Sequence, residues 1–309
     1  MLEVTEEKTK TSSKREQFHR LVNRNEYSNS TLWVLEIALD YLNQKRNDPS
    51  FDYSPKALNE WLQKKYNESL ETTRKDYWLD SGELMDGTNV GRFSDQAVLE
   101  RLIQYAPTNL LDGIWLTNVL FAGPCTEVEA MLFQIRMDEA GNGKFEQNHA
   151  NLYDQLLISK NIKLPPVTSL EFSDDQRFLE SAFNDSVFQM SVGLFPRRFL
   201  PELLGMTLFM EWTATPASNQ LAKCLKRRNI DNNYYTVHAQ VDNIKSGHGF
   251  LAQKAVKLYL EQIWDTEGED IMQAHWRRIW NAYLTWENII LRFESDLQTH
   301  LMILDDKSL

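Results

Sequence analysis

Apolar residues along this chain recur at spacings of three and four, the period of an amphipathic helix, rather than in the alternation of a half-buried strand. No run of β-branched residues with a period of two is present, and no Asn-Gly or Asp-Gly pair stands between two such runs. The pattern predicts an all-α fold. Helices are expected over 30–46, 54–77, 93–122, 126–140, 145–160, 173–190, 199–212, 216–229 and 269–304, with one more over 232–264 that contains a suspected break. Ser54-Pro55 reads as an N-cap followed by proline at the first helical position, and Ser94-Asp95 opens the next helix. Residues 1–28 read as a flexible polar arm, 29–92 as an N-terminal helical extension, and 93–309 as one helical bundle domain.

Composition narrows the class of function. Of 309 residues, 42% are hydrophobic and 25% charged, ordinary for a globular chain with a sizeable core. Lys plus Arg is 33 against 44 for Asp plus Glu, a formal charge of −11, which argues against a nucleic-acid partner. No apolar run approaches the roughly 18 residues that span a bilayer, so no membrane is expected. The polar, acidic start lacks the features of a leader peptide. Two cysteines, Cys125 and Cys224, supply no disulfide framework and suit a reducing, cytoplasmic setting.

Candidate chemistry gathers in three segments. YYTVHAQVDNIKSGHGF places His238 and Asp242 at i and i+4, one turn apart on one helix face. His248 follows six residues later, about 600° of helical rotation, so it rejoins that face only if Asn243-Ile244-Lys245-Ser246-Gly247 departs from the helix. MLFQIRMDEAGNGKFEQNHANLY carries Asp138, Glu139, Glu146 and His149 around Gly141-Asn142-Gly143. Glu139 and His149 would stand about 15 Å apart on a straight helix. Sharing an ion at bonds of about 2.0–2.2 Å therefore requires a break, which the two glycines favour. Glu146 and His149 form a Glu-x-x-His pair that needs no break, so Glu139 and Glu146 are both candidates. Glu211 ends an apolar stretch, where it either reaches water or lies buried beside a cation or metal. Carboxylates and imidazoles on three helical elements suit iron or manganese better than zinc. No His-Glu-x-x-His, P-loop, dinucleotide fingerprint, Cys-x-x-Cys or Gly-x-Ser-x-Gly is present.

The order Glu…His, Glu, His-x-x-x-Asp…His resembles that of the haem-oxygenase-like di-iron oxidases, the iron-containing redox enzyme family. DEAGNGKFEQNHANLY and VHAQVDNIKSGHG resemble its two signature segments, and LLDGIWL a segment upstream of them. The resemblance covers about 95–265 and implies a haem-oxygenase-like helical bundle. It implies two Fe(II) ions held by Glu139, His149, Glu211, His238, Asp242 and His248, with O2 as co-substrate. The spacing from Asp242 to His248 is longer than the commonest in the family. Asp112 lies where some N-oxygenating members have a further carboxylate ligand; its ordinary alternative is a helix N-cap before Gly113. The implied reaction is N-oxygenation, desaturation or oxidative C–C cleavage of a small amino-acid-like or fatty-acid-like substrate. An external electron donor and a homodimer are further expectations, and Arg197-Arg198 is a candidate anchor for a substrate carboxylate.

Other readings share the fold: a haem-binding protein, a thiaminase-like hydrolase, a cofactor-free oxidase, or a non-catalytic helical binding protein. Haem would need a histidine on the first core helix, and His19 lies in the polar arm. A thiaminase-like enzyme would need a nucleophilic cysteine with acid–base neighbours, which neither Cys125 nor Cys224 has in sequence.

Overall fold

The computed structural model describes residues 12–23, 31–44, 48–75, 94–120 and 123–306, and among these every regular element is helical. In chain order they are α1 (Lys14–Val22), α2 (Thr31–Asn43), α3 (Pro55–Lys75), α4 (Asp95–Gln104), α5 (Ala106–Asn109), α6 (Glu127–Glu139) and α7 (His149–Ser159). There follow α8 (Leu170–Ser173), α9 (Asn184–Gly193), α10 (Leu200–Arg227), α11 (Asn233–Val241), α12 (His248–Glu267) and α13 (Glu269–Asp306).

Helix α10 is the axis of the bundle. It packs against α3, α11, α12 and α13, and is buried on most sides along its first half. Its apolar run from Leu203 to Leu208 reflects that position. Two helices were expected here, divided before Pro216. The chain instead stays helical through Pro216, because neighbours on several sides outweigh one lost ladder hydrogen bond. Along α13, Trp276, Trp280 and Tyr283 pack with Trp61 of α3 in an aromatic cluster, and Tyr283 also meets Phe209 of α10.

Other expected helices are shorter than their apolar patterns. The 93–122 segment breaks into α4, α5 and a 3-10 turn at Ile114–Leu116, with Pro107 at the start of α5 and Gly113 left-handed at φ 76°. The 145–160 segment begins with a 3-10 turn at Phe145–Gln147 before α7, and 173–190 becomes helical only as a 3-10 turn and then α9. The arm expected over 1–28 is structured at 14–22. Ser13 caps α1, and Phe18 is fully buried against Phe172 and Phe183. Arg15 adds hydrogen bonds to the carbonyls of Ser173 and Asp175. Helix α2 packs on α9 and α13, and α3 on α10; residues 29–30, 45–47 and 76–92 of the expected extension lie outside the described residues. Among the described residues, no helix is long and apolar enough to cross a membrane.

Candidate metal centre

Helix α6 starts at a capping box between Thr126 and Glu129 and ends on Glu139, which is 2% exposed. The chain then breaks where expected. Gly141 is left-handed at φ 69°, and a Cβ there would lie 2.4 Å from the backbone nitrogen of Asn148, so only glycine fits. Asn148 caps α7, and His149 is its first residue. This turn brings His149 Nδ1 to 2.6 Å from Glu139 Oε2.

The second break is also present. Helix α11 ends at Val241, residues 243–247 leave the helix, and α12 starts on His248. The Asn243 side-chain oxygen accepts from the backbone nitrogens of Lys245 and Ser246, shaping the turn. His248 Nδ1 comes to 3.3 Å from Asp242 Oδ1, 3.3 Å from Glu211 Oε2 and 3.5 Å from Glu139 Oε1. Glu211, from the middle of α10, is buried and does not reach water.

Asp112 is not a helix N-cap. Gly113 takes that place, and its left-handed backbone lets the loop pass over Glu139, whose Cβ lies 2.7 Å from where a side chain would begin. Asp112 Oδ2 accepts from Tyr234 Oη at 2.9 Å, lies 3.1 Å from His238 Nε2 and 3.9 Å from His149 Nδ1. Glu146 stands exposed in the 3-10 turn before α7 and joins no cluster. Arg197 and Arg198 are exposed after α9 and do not line the cavity beside the cluster.

Two donor groups result, each able to place its ligand atoms within 4.8 Å of one another: Asp112, Glu139, His149 and His238, and then Glu139, Glu211 and His248. Glu139 belongs to both. Its Oε2 faces the first group and its Oε1 faces His248. Two donors bonded to one ion at about 2.0–2.2 Å lie no more than about 4.4 Å apart. The nitrogen–oxygen distances of 2.6 to 3.9 Å among these residues lie within that limit.

Iron fits these residues. Glu139 Oε2, His149 Nδ1, Asp242 Oδ1 and His248 Nδ1 are all buried and all lack a hydrogen bond of proper geometry. Such atoms are costly in a folded core unless something else satisfies them. The imidazoles are oriented from outside: His238 Nδ1 donates to the Tyr234 carbonyl at 2.9 Å, and His248 Nε2 lies 3.2 Å from Asp138 Oδ2. Each contact directs the other ring nitrogen into the cluster, as for histidine ligands in general. Sequence reasoning included Asp138 among the acids near the turn but gave it no role. Its place next to Glu139 at the end of α6 was the available signal.

So many titratable groups in one place shift one another's proton affinities. Burial, then the charge of Asp112, pushes Glu139 well above the usual carboxylate range. Burial and Asp242 push Glu211 up to about 7. Burial and His238 push His149 down to about 4. Burial opposes charge on His238 and on His248, but Asp112 outweighs it for the first and Glu211 with Asp138 and Asp242 for the second, so both are raised. Asp112 is held low by His238 despite its burial.

A cavity of about 680 Å³ opens beside this cluster, touching Asp112, Glu139, Glu211 and His238. Its remaining wall comes largely from α3, α10 and α13 and includes Phe209, Trp286 and Ile290. Neither cysteine lines it: Cys125 is exposed and Cys224 is buried elsewhere. No curated protein matches the sequence. A family model described as iron-containing redox enzyme matches residues 99–283, more than half of the chain and a span that holds both donor groups. With that match and this site, the chain belongs to the iron-containing redox enzyme family.

Proposed function

We propose that this protein is a non-haem di-iron oxidase that uses O2 to oxidise a small organic substrate held in the cavity. The observation that carries the reading is Glu139, a buried carboxylate with one oxygen toward each donor group. A carboxylate in that position suits two adjacent ions, as in other helical bundles that hold carboxylate-bound iron pairs. Asp112, His149 and His238 would hold one ion with Glu139; Glu211, Asp242 and His248 would hold the other. When bound, two ferrous ions supply the redox chemistry by which O2 is reduced and a substrate oxidised.

The chain's own residues do the rest. Asp112, Glu139, Glu211 and Asp242 offset four positive charges with four negative ones, so a buried pair of ferrous ions leaves the centre near neutrality. The Tyr234 carbonyl fixes the His238 ring and Asp138 the His248 ring, keeping one nitrogen of each free to ligate. Phe209, Trp286 and Ile290 on the wall would hold the apolar part of a substrate in the chamber beside Asp112, Glu139, Glu211 and His238. N-oxygenation, desaturation and oxidative C–C cleavage all fit this arrangement. The test is to load the protein with ferrous iron under argon, admit O2, and screen small amines, amino acids and fatty acids. A substrate accelerates O2-dependent loss of ferrous iron and yields an oxidised product. Iron-loaded protein that oxidises no member of such a panel and consumes no O2 contradicts the reading.

A further inference from the structure

Away from the donor groups, the cavity wall carries two cations, and both are engaged. Lys65 Nζ lies 2.9 Å from Glu287 Oε1 and 3.3 Å from Glu68 Oε2. The guanidinium of Arg101 meets both oxygens of Glu294, at 2.9 and 2.8 Å. A substrate carboxylate would have to break one of these pairs. Asp185, near the start of α9, lines the same cavity and is 3% exposed. Thr108 Oγ1 donates to its Oδ2 at 2.5 Å and the Ser186 backbone nitrogen to its Oδ1 at 2.6 Å, so neutral groups hold it in place. Among the described residues, no Lys, Arg or His pairs with it. Glu68, the other carboxylate in excess of cations, is half exposed and solvated.

A buried charge without a partner is expensive, and such a group lining a cavity is a candidate contact for a ligand of opposite charge. Iron at the donor groups would neutralise Asp112, Glu139, Glu211 and Asp242, leaving Asp185 as the buried carboxylate without a counter-charge in the chamber. We infer that Asp185 is the recognition residue for a substrate ammonium group, so that the substrate class is a small primary amine with an apolar body. This rests on the reading of the cavity as the substrate chamber. Phe209, Trp286 and Ile290 offer the apolar surface for the body of such a molecule, and Thr108 lies four residues before Asp112, tying the anchor to the loop that reaches the centre. Burial, partly opposed by the bonds from Thr108 and Ser186, pushes the Asp185 carboxyl up to about 6, which leaves it ionised at neutral pH.

Calorimetric titration of iron-loaded protein under argon tests this, with n-hexylammonium, hexanoate and 1-hexanol as probes and iron content measured on each sample. Native protein should bind hexylammonium at least tenfold more tightly than hexanol. Asp185→Asn should lose that advantage while its hexanol affinity and its iron content stay unchanged. Equal hexylammonium affinity in the two proteins would overturn the inference. So would a native preference for hexanoate over hexylammonium, a result that stands even if the variant does not fold. Absent iron with Asp185-dependent amine binding would count against the di-iron reading alone and support the anchor.

Discussion

Nδ1 of His149 lies 2.6 Å from Oε2 of Glu139, although ten positions separate the two residues in the chain. On an uninterrupted helix the same pair would stand about 15 Å apart along the axis. The short turn between α6 and α7 removes that separation. The donor cluster therefore depends on a backbone feature as much as on its side chains.

Gly141→Ala should damage the centre from a distance. A left-handed non-glycine residue costs about 1–3 kcal/mol, and here the new Cβ would also press on the Asn148 nitrogen. Denaturant unfolding should show that loss, and ferrous-iron titration should show weakened binding. Gly143→Ala is the control. Gly143 is also left-handed, at φ 80°, but a Cβ there meets nothing within 4 Å, so the variant should lose stability and still bind iron normally.

Asp138 orients His248 without reaching the donor groups, and it also accepts from the Asn142 side chain at 2.7 Å. Asp138→Ala should weaken metal binding by about 10–100-fold, the usual effect of removing a carboxylate behind a histidine ligand. Because the side chain is partly exposed, helix content should not change. Competitive titration with Co(II) and a chromophoric chelator measures this, and unchanged affinity would reduce Asp138 to a surface residue.

Asp185 makes a stability prediction with a defined sign. Its folded-state value of about 6 lies above the ordinary 3.8, so the native state holds the proton more tightly and loses stability as pH rises from about 4 to 6. Above about pH 6 the full cost applies, on the order of 2–3 kcal/mol at most. Asp185→Asn should therefore be more stable than the native protein at pH 7.5 and similar to it at pH 4. Urea unfolding at the two pH values checks this; a variant less stable at pH 7.5 would mean that the charge is structurally required.

Much of this centre was legible in sequence. The helical period gave the fold class, the glycine pair gave the first break, and the poor helix formers before His248 gave the second. Six donors, Glu139, His149, Glu211, His238, Asp242 and His248, meet in space as their spacing allows. Three features were not legible. Asp112 was a candidate ligand only through the family resemblance, with a helix N-cap as its alternative, because its reach to His238 past a left-handed Gly113 depends on tertiary packing. Glu146 has the better local spacing to His149, but the 3-10 turn points it to solvent. Helix α10 runs through Pro216 because its neighbours hold it, which local propensity cannot report.

The two donor groups should fail separately. His248→Ala and Glu211→Ala each remove ligand atoms from one group only, and His149→Ala from the other. Each variant should retain about one iron per chain, measured after anaerobic loading and desalting. Loss of both ions from His149→Ala, or of none from Glu211→Ala, would show that the groups are not arranged as two sites.

The most direct measurement is anaerobic titration of native protein with ferrous iron, followed by the same titration of Glu139→Ala. Two Fe(II) per chain in the native protein is the predicted end point, with both sites weakened when the shared carboxylate is removed. A native end point at one ion or none, or undiminished binding of two ions by Glu139→Ala, would contradict a di-iron centre built around Glu139.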